Sequence, residues 1–337
     1  MPDAATGSLR GPQAHMRGYR TIRYQRQDGV GTLTLARPGK RNAQNPLMWQ
    51  ELARLGADLL PDETLRCLVV AAEGPVFSAG IDLAEGMAGL LAGWADRAGD
   101  AQAMAEGMAA AGTFSWIPEL GCASVAAVRG HAYGAGLQLA LACDFRIFAE
   151  GTRVGLPETR FGLLPDMGAT VRLPRIIGEA RARELILLGE VIDADEALRI
   201  GLANQMVPGH DLEAAAAELA GRLAAQPPLA VRGARQAIDA AWHRGPQESF
   251  RLALEAQLRC LNSEDFKEAR RAMAEGSGFP LVPWRHRLKG GRRWQSHGGS
   301  LIGISGRARS GLSGRPGSRS RRWPGSWAST RARWATG

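Results

Sequence analysis

Residues 130–139 read Gly-His-Ala-Tyr-Gly-Ala-Gly-Leu-Gln-Leu and lie between Ser-Val-Ala-Ala-Val at 124–128 and the apolar run that ends at Ala142. The first flank is short, uncharged and apolar, which is how a buried strand reads; the second belongs to an almost wholly apolar helix over 134–142. A turn of small residues between them lets backbone N–H groups approach a ligand closely. Ala135 falls at the helix N-terminus, where free N–H groups and the helix dipole favour negative charge. The segment is therefore a candidate anion hole, although glycines that serve only tight packing give the same pattern.

Working outward, a second turn of this kind follows another buried strand: Leu65 to Ala71 leads into Pro-Val-Phe-Ser-Ala-Gly-Ile-Asp-Leu at 75–83. Upstream, Ile22 to Gln27 and Val30 to Leu35 flank Asp28-Gly29, a strong hairpin signal. Residues 46–60 carry leucines at helical spacing, and 145–149 reads as a further strand. Strands alternating with helices imply parallel pairing in an α/β core. Residues 83–115 are rich in Ala, Gly and Met and read as helical. From Ala169 onward only helical patterns are expected, over 179–188, 194–200, 212–225, 229–242, 247–261 and 264–274. The expected organisation is an unstructured segment 1–18, an α/β core 19–205, a helical region 206–275 and a disordered tail 276–337. Met16 is an alternative start.

A chain of 337 residues with 45% apolar side chains can bury a real core, which excludes disorder along its full length. No apolar run reaches the roughly 18 to 20 residues that span a bilayer, and the N-terminus lacks the apolar stretch of a secretory signal. The first 18 residues hold few arginines and include Asp3, so they make a poor organelle transit peptide. Cys67, Cys122, Cys143 and Cys260 show no metal-ligand spacing, so reduced thiols in the cytoplasm are expected rather than disulfides or zinc.

The net charge of +9 is unevenly spread. Residues 276–337 hold 13 Lys plus Arg and no acid, leaving 29 basic against 33 acidic groups in the rest. The tail also carries five of the nine tryptophans and no structural period. Two accounts compete for it. One is an Arg/Gly/Ser arm that binds RNA through phosphates and stacking; the other is an unselected extension of GC-rich codons read out of frame. The second is preferred, so nucleic acid is not the expected partner.

Several stretches together resemble the crotonase, or enoyl-CoA hydratase/isomerase, superfamily over about residues 20 to 275. They are Leu-Ala-Arg-Pro-Gly-Lys-Arg-Asn-Ala at 35–43, Phe-Ser-Ala-Gly-Ile-Asp-Leu at 77–83, and 130–139 running into Ala142-Cys143-Asp144. Pro157-Glu158, Phe161-Gly162-Leu163 and Arg172-Leu173-Pro174 follow in order. The resemblance implies a spiral of ββα units with C-terminal helices that build a homotrimer or hexamer. It also implies acyl-CoA thioester substrates bound between the turns, with coenzyme A as part of the substrate and no metal or redox cofactor. The N–H groups of Ile81 and Ala135 would hold the thioester oxygen. Lys40, Arg41, Ala43, Ala79, Gly80, Asp82, Tyr133, Gly134, Gly136 and Pro157 would contact the substrate or its CoA. The match stops at Glu275, where Gly276-Ser277 replace a basic pair, and loss of that lysine implies weaker CoA binding.

Hydratases of this family place one glutamate on the helix after the second turn and another after the later strand. Those positions are Gln138 and Glu158 here. An amide cannot accept a proton from water, so efficient hydration is not expected unless Glu158 makes both transfers while Gln138 orients water. One carboxylate is enough to shift a C=C bond: Glu158 would take a proton from C2 of a 3-enoyl thioester and return it at C4. Asp166, eight residues on, is a possible partner, as in dienoyl-CoA isomerases.

Isomerisation is the leading expectation, with a hydratase and a non-catalytic acyl-CoA binder as rivals. Plainer readings stay open beside these: Glu158 as a surface ion pair, Asp166 as a cap for a helix starting near Met167, Gln138 as a satisfied core amide, and Lys40 with Arg41 as a solvated turn. Tyr133 either lines the acyl pocket or simply packs, and His131 is expected to be a packed turn residue rather than a base.

Overall fold

The computed structural model describes residues 18–97 and 99–275. The expected unstructured head and basic tail lie outside these residues, Gly18 excepted. Asp28 and Gly29 both take positive φ, 52° and 81°, the turn that matches the twist of a two-residue hairpin. It joins β1 (Ile22–Gln27) to β2 (Val30–Leu35), with Gln27 opposite Val30. β3 (Cys67–Ala72), β4 (Ala123–Val128), β6 (Phe145–Ala149) and β9 (Gln205–Val207) then add in parallel, giving a six-stranded sheet in the order β1-β2-β3-β4-β6-β9.

Side chains alternate across a strand, so each parallel strand serves two cores. Cys67 and Val69 of β3, Val125 and Ala127 of β4, and Ile147 and Ala149 of β6 pack beneath the helix Leu212–Ala224 through Leu212, Ala216 and Ala220. Leu68, Val70, Ala126, Val128 and Phe148 face the other way and join the larger core with Met48, Leu52 and Leu55 of the helix Pro46–Leu59. All seven residues of the helix Ala135–Leu141 are buried, and Ala135, Leu137, Leu139, Ala140 and Leu141 join that same core. Both faces are covered, which accounts for the continuous apolar reading of β3 and β4.

A second sheet, β5-β7-β8, is built from β5 (His131–Tyr133), β7 (Arg153–Gly155) and β8 (Val191–Asp193). β8 and β9 correct the expectation of helices alone after Ala169. Each is three residues long and half-exposed, too short to show an alternation. Residues 83–115 are helical in pieces: a π-helix at Leu83–Leu91, an α-helix at Ala92–Ala95 and a longer one at Ala101–Ala111. The last begins at Asp100, whose carboxylate accepts from the Gln102 N–H (2.8 Å). The C-terminal part is helical, with Pro228–Ala240, Pro246–Leu261 and Glu264–Ala274. Arg235 ties the first of these to the core: its guanidinium donates to Asp144 Oδ1 (3.0 Å) and to the Leu120 carbonyl. No helix among the described residues is long and apolar enough to cross a membrane.

Candidate active site

The first bend, Val76 to Asp82, is held by a loop of buried polar residues just after β2. Asn42 is fully buried with φ of 52°. Its side chain accepts from the Arg37 N–H (2.8 Å) and donates to the carbonyls of Glu73 (2.9 Å) and Val76 (2.7 Å). Ser78 Oγ donates to the Asn42 carbonyl (2.8 Å) and accepts from the Gly80 N–H (3.3 Å). Gln44 forms a parallel bridge to Ile81: its N–H donates to the Gly80 carbonyl and its carbonyl accepts from the Asp82 N–H, both at 2.7 Å. In such a bridge the Ile81 N–H points away from the Gln44 strand, and among the described residues it has no hydrogen-bond partner.

The second bend follows β5. The Gly134 N–H donates to the Gly155 carbonyl (3.0 Å) and its carbonyl accepts from the Gln138 N–H (3.0 Å), which closes the first helical turn. The Ala135 N–H is left at the open helix start, without a partner among the described residues. The bends are joined directly. Ser78 bridges Ala132 in parallel, with its N–H donating to the His131 carbonyl (3.0 Å) and its carbonyl accepting from the Tyr133 N–H (3.1 Å). Their approach is close enough to require glycine. A Cβ on Gly80, whose φ is 97°, would lie 2.9 Å from the Tyr133 carbonyl oxygen and 3.9 Å from the Ala135 nitrogen. A Cβ on Gly136 would lie 2.7 Å from both Cβ and the carbonyl oxygen of Ser78.

Glu158 enters from the short 3₁₀ turn Pro157–Phe161 that follows β7. Its carboxylate reaches the second bend: a Cβ on Gly134 would sit 3.2 Å from Glu158 Oε1. Gln138, on the turn of helix after Ala135, is 2% exposed and donates from Nε2 to Glu158 Oε1 (3.0 Å). The Ala169 N–H donates to Gln138 Oε1 (3.2 Å). A main-chain N–H can only donate, so the amide oxygen must face Ala169 and the NH₂ must face Glu158. Gln138 is thus a satisfied buried amide, and the group it satisfies is the carboxylate. Glu158 Oε2 is buried with no partner among the described residues. Burial raises the Glu158 pKa, against opposing hydrogen bonds from its own N–H and from Gln138, and the charge of Asp166 raises it further.

Asp166 is exposed, yet partial loss of water around its carboxyl still raises its pKa, against a hydrogen bond from its own N–H. It caps no helix: the next one spans Ala169–Ile177 and starts from Gly168, without a side-chain cap. That corrects the reading of Asp166 as a cap, because Gly168 with φ of 106° turns the chain first.

The remaining sequence-derived positions fall into two groups. Ala43, Ala79, Gly80, Tyr133, Gly134, Gly136 and Pro157 line or flank the two bends, half-buried or buried. Lys40 and Arg41 are exposed at the end of the 3₁₀ turn Pro38–Lys40. The Asp82 side chain is engaged within the protein: it accepts from the Ala84 and Glu85 N–H groups and from Arg37 (3.1 Å each). Burial alone would raise its pKa, but these bonds hold it below the ordinary value. His131 packs on Tyr133 with ring centroids 5.1 Å apart, and the Tyr133 hydroxyl lies 3.2 Å from His131 Nδ1.

Sequence reading passed over Arg37 and Gln44. Arg37 donates to the Ala43 carbonyl, to Asp82 and to Glu85, so it binds the first bend to the π-helix. The available signal was the run Asn-Ala-Gln-Asn at 42–45, three amides in four residues before a helix that Asn45 caps by accepting from the Met48 N–H (3.0 Å).

Comparison with known proteins gives the family of the chain. The family model described as enoyl-CoA hydratase/isomerase matches residues 25–281, a few residues past Glu275. The enoyl-CoA isomerase/hydratase fer4 of Mycosarcoma maydis is 36% identical over 254 residues, covering 72% of this chain and 88% of its own length. An enoyl-CoA hydratase structure from Bacillus anthracis superposes with a TM-score of 0.69 at 31% identity, covering 79% of this chain and 100% of that one. A Thermobifida fusca protein solved in complex with acetoacetyl-CoA is 36% identical with a TM-score of 0.64, covering 72% and 94%. The family-model match over residues 25–281, with relatives of more than 30% identity covered along most of their length, places the chain in the enoyl-CoA hydratase/isomerase family of the crotonase superfamily.

Proposed function

We propose that the protein shifts a C=C bond of an enoyl-CoA thioester, with Glu158 as the proton shuttle. The observation that carries this reading is the state of its carboxylate: Oε1 is held by Gln138, and Oε2 is buried beside the second bend with no partner among the described residues. The N–H groups of Ile81 and Ala135 bind the thioester oxygen, which makes the C2 proton removable by stabilising the enolate. In other enzymes one such donor is worth about 2.7 to 4 kcal/mol. Glu158 Oε2 takes the C2 proton of a 3-enoyl thioester, and the released electron pair forms C2=C3. The former C3=C4 pair then takes the proton from Glu158 at C4. The carboxylate is regenerated and no electrons leave the substrate, so the scheme calls for no redox cofactor. Asp166 acts on this step through its charge. Lys40 and Arg41 offer cationic groups for CoA phosphates at the exposed end of the same loop.

Hydration of 2-enoyl-CoA is the second reading, favoured by the names of relatives such as the Bacillus anthracis hydratase. It requires Glu158 to make both proton transfers. Self-association as a trimer or hexamer belongs to the same proposal. Phe250, Leu254, Leu258 and Leu261 are exposed along one face of Pro246–Leu261, and a monomer would leave that stripe in water.

The deciding experiment gives the purified protein 3-enoyl-CoA and 2-enoyl-CoA side by side, with Glu158→Gln as the control. Conversion of the 3-enoyl ester, lost by on the order of 10²- to 10⁴-fold in E158Q while CoA-ester binding persists, supports isomerisation. Turnover of the 2-enoyl ester alone transfers support to hydration. Binding without turnover of either ester leaves only a carrier of acyl-CoA.

A further inference from the structure

Gln44 touches both halves of the site, and its side chain is fully buried. On one side its main chain bonds to Gly80 and Asp82, the neighbours of Ile81. On the other its Nε2 donates to the Ala135 carbonyl (3.1 Å). Its Oε1 accepts from the Trp49 indole N–H (3.0 Å). An indole N–H only donates and a carbonyl only accepts, so the amide has one orientation that satisfies both. Trp49 is itself buried on the helix Pro46–Leu59, so that orientation is backed by the core.

We propose that Gln44 is a positioning residue that sets the separation of the Ile81 and Ala135 N–H donors. The inference rests on the reading of those two amides as the thioester-oxygen site. The Ser78–Ala132 bridge already joins the two bends, and Gln44 adds a second tie at the donors themselves. Gln44 fastens the two by short bonds at both ends, and its side chain meets Ala135, whose N–H is one of the donors. An apolar residue of the same size would fill the space and leave that fastening undone. Misplacing a catalytic group by about 1 Å can cost on the order of 10²-fold in rate, so the clamp acts on the chemical step more than on binding.

The test is Gln44→Met, which conserves volume, together with the double variant Q44M/W49F. The double variant leaves no orphaned indole N–H and therefore keeps the fold if the single variant loses it. The readout is the infrared stretch of a ¹³C-labelled thioester carbonyl on bound crotonyl-CoA, alongside kcat and KM. Wild type is expected to bind with the carbonyl band shifted to lower frequency. Both variants are expected to lose at least half of that shift and about 10- to 100-fold in kcat, with KM within about threefold. A folded variant that keeps the wild-type band and kcat overturns the clamp alone. Wild type that binds the ester with no band shift overturns the oxygen-site reading and the clamp with it.

Discussion

Gln138 Nε2 lies 3.0 Å from Glu158 Oε1, and its own oxygen is spoken for by the Ala169 N–H. The amide therefore fixes one carboxylate oxygen and leaves the other, buried, without a partner among the described residues. Where two facing acids would share protons as a coupled pair, this pair sets one acid against an amide.

The acid limb of the pH–rate profile follows from the charges on that carboxyl. Burial raises the Glu158 pKa, so the basic form needed for C2 deprotonation is lost, as pH falls, at a higher pH than for an ordinary glutamate. Gln138→Leu removes a hydrogen bond that lowers the pKa, and the acid limb of kcat/KM should move up. Asp166→Asn removes a charge that raises it, and the limb should move down. Stability has the opposite sense: with a raised native pKa the folded state binds the proton more tightly, so this group's contribution is fully present below the unfolded value and is lost as pH rises through the native one. Shifts in the same direction for both variants would show that the two contacts do not tune Glu158.

Gln138→Glu puts a second carboxylate where the amide now stands. One of its oxygens can still accept from Ala169, and the other would face Glu158 across 3.0 Å, so the two acids would share a proton. Hydration of 2-enoyl-CoA, followed as loss of the conjugated thioester absorbance, should rise by on the order of 10²-fold. An unchanged rate would mean that the missing acid is not what limits hydration.

Gly136→Ala drives a methyl group to 2.7 Å from Ser78 Cβ and its carbonyl. The neighbours are main chain and a short side chain, so the bends must part. A loss of about 1 to 3 kcal/mol is expected, seen as a fall of about 2 to 10 °C in Tm, with a larger fractional loss of activity than of folded protein.

Phe250, Leu254 and Leu258 are 74%, 59% and 51% exposed and lie on one side of the helix. Replacing Phe250 and Leu258 by Asp should convert the proposed trimer or hexamer to monomer in light scattering, with helical circular dichroism retained. An unchanged mass would place the assembly surface elsewhere.

Much of the frame can be read without coordinates. The Asp28-Gly29 hairpin, the continuous apolar strands and the glycine-rich bends are local patterns, and β1, β2 and β6 fall where the periodicity puts them. β5, β7, β8 and β9 do not show, because three residues cannot display a period and their pairing is with distant chain. At the site, the family resemblance points to Glu158 and Gln138, but the orientation of their direct bond depends on the Ala169 N–H, 31 residues from Gln138, which no local reading supplies. Gln44 was missed for a related reason. Its value lies in bonds made to both bends at once, and a single glutamine in sequence carries no sign of them.

The missing side chain at Gly134 has a consequence for anyone wishing to rebuild this chemistry. A methyl group there would stand 3.2 Å from Glu158 Oε1, so the carboxylate would have to give way by a few tenths of an ångström, and the φ of 51° would strain any side chain. Grafting Glu158 onto a scaffold with alanine at that place would therefore move the carboxylate as well as bend the backbone.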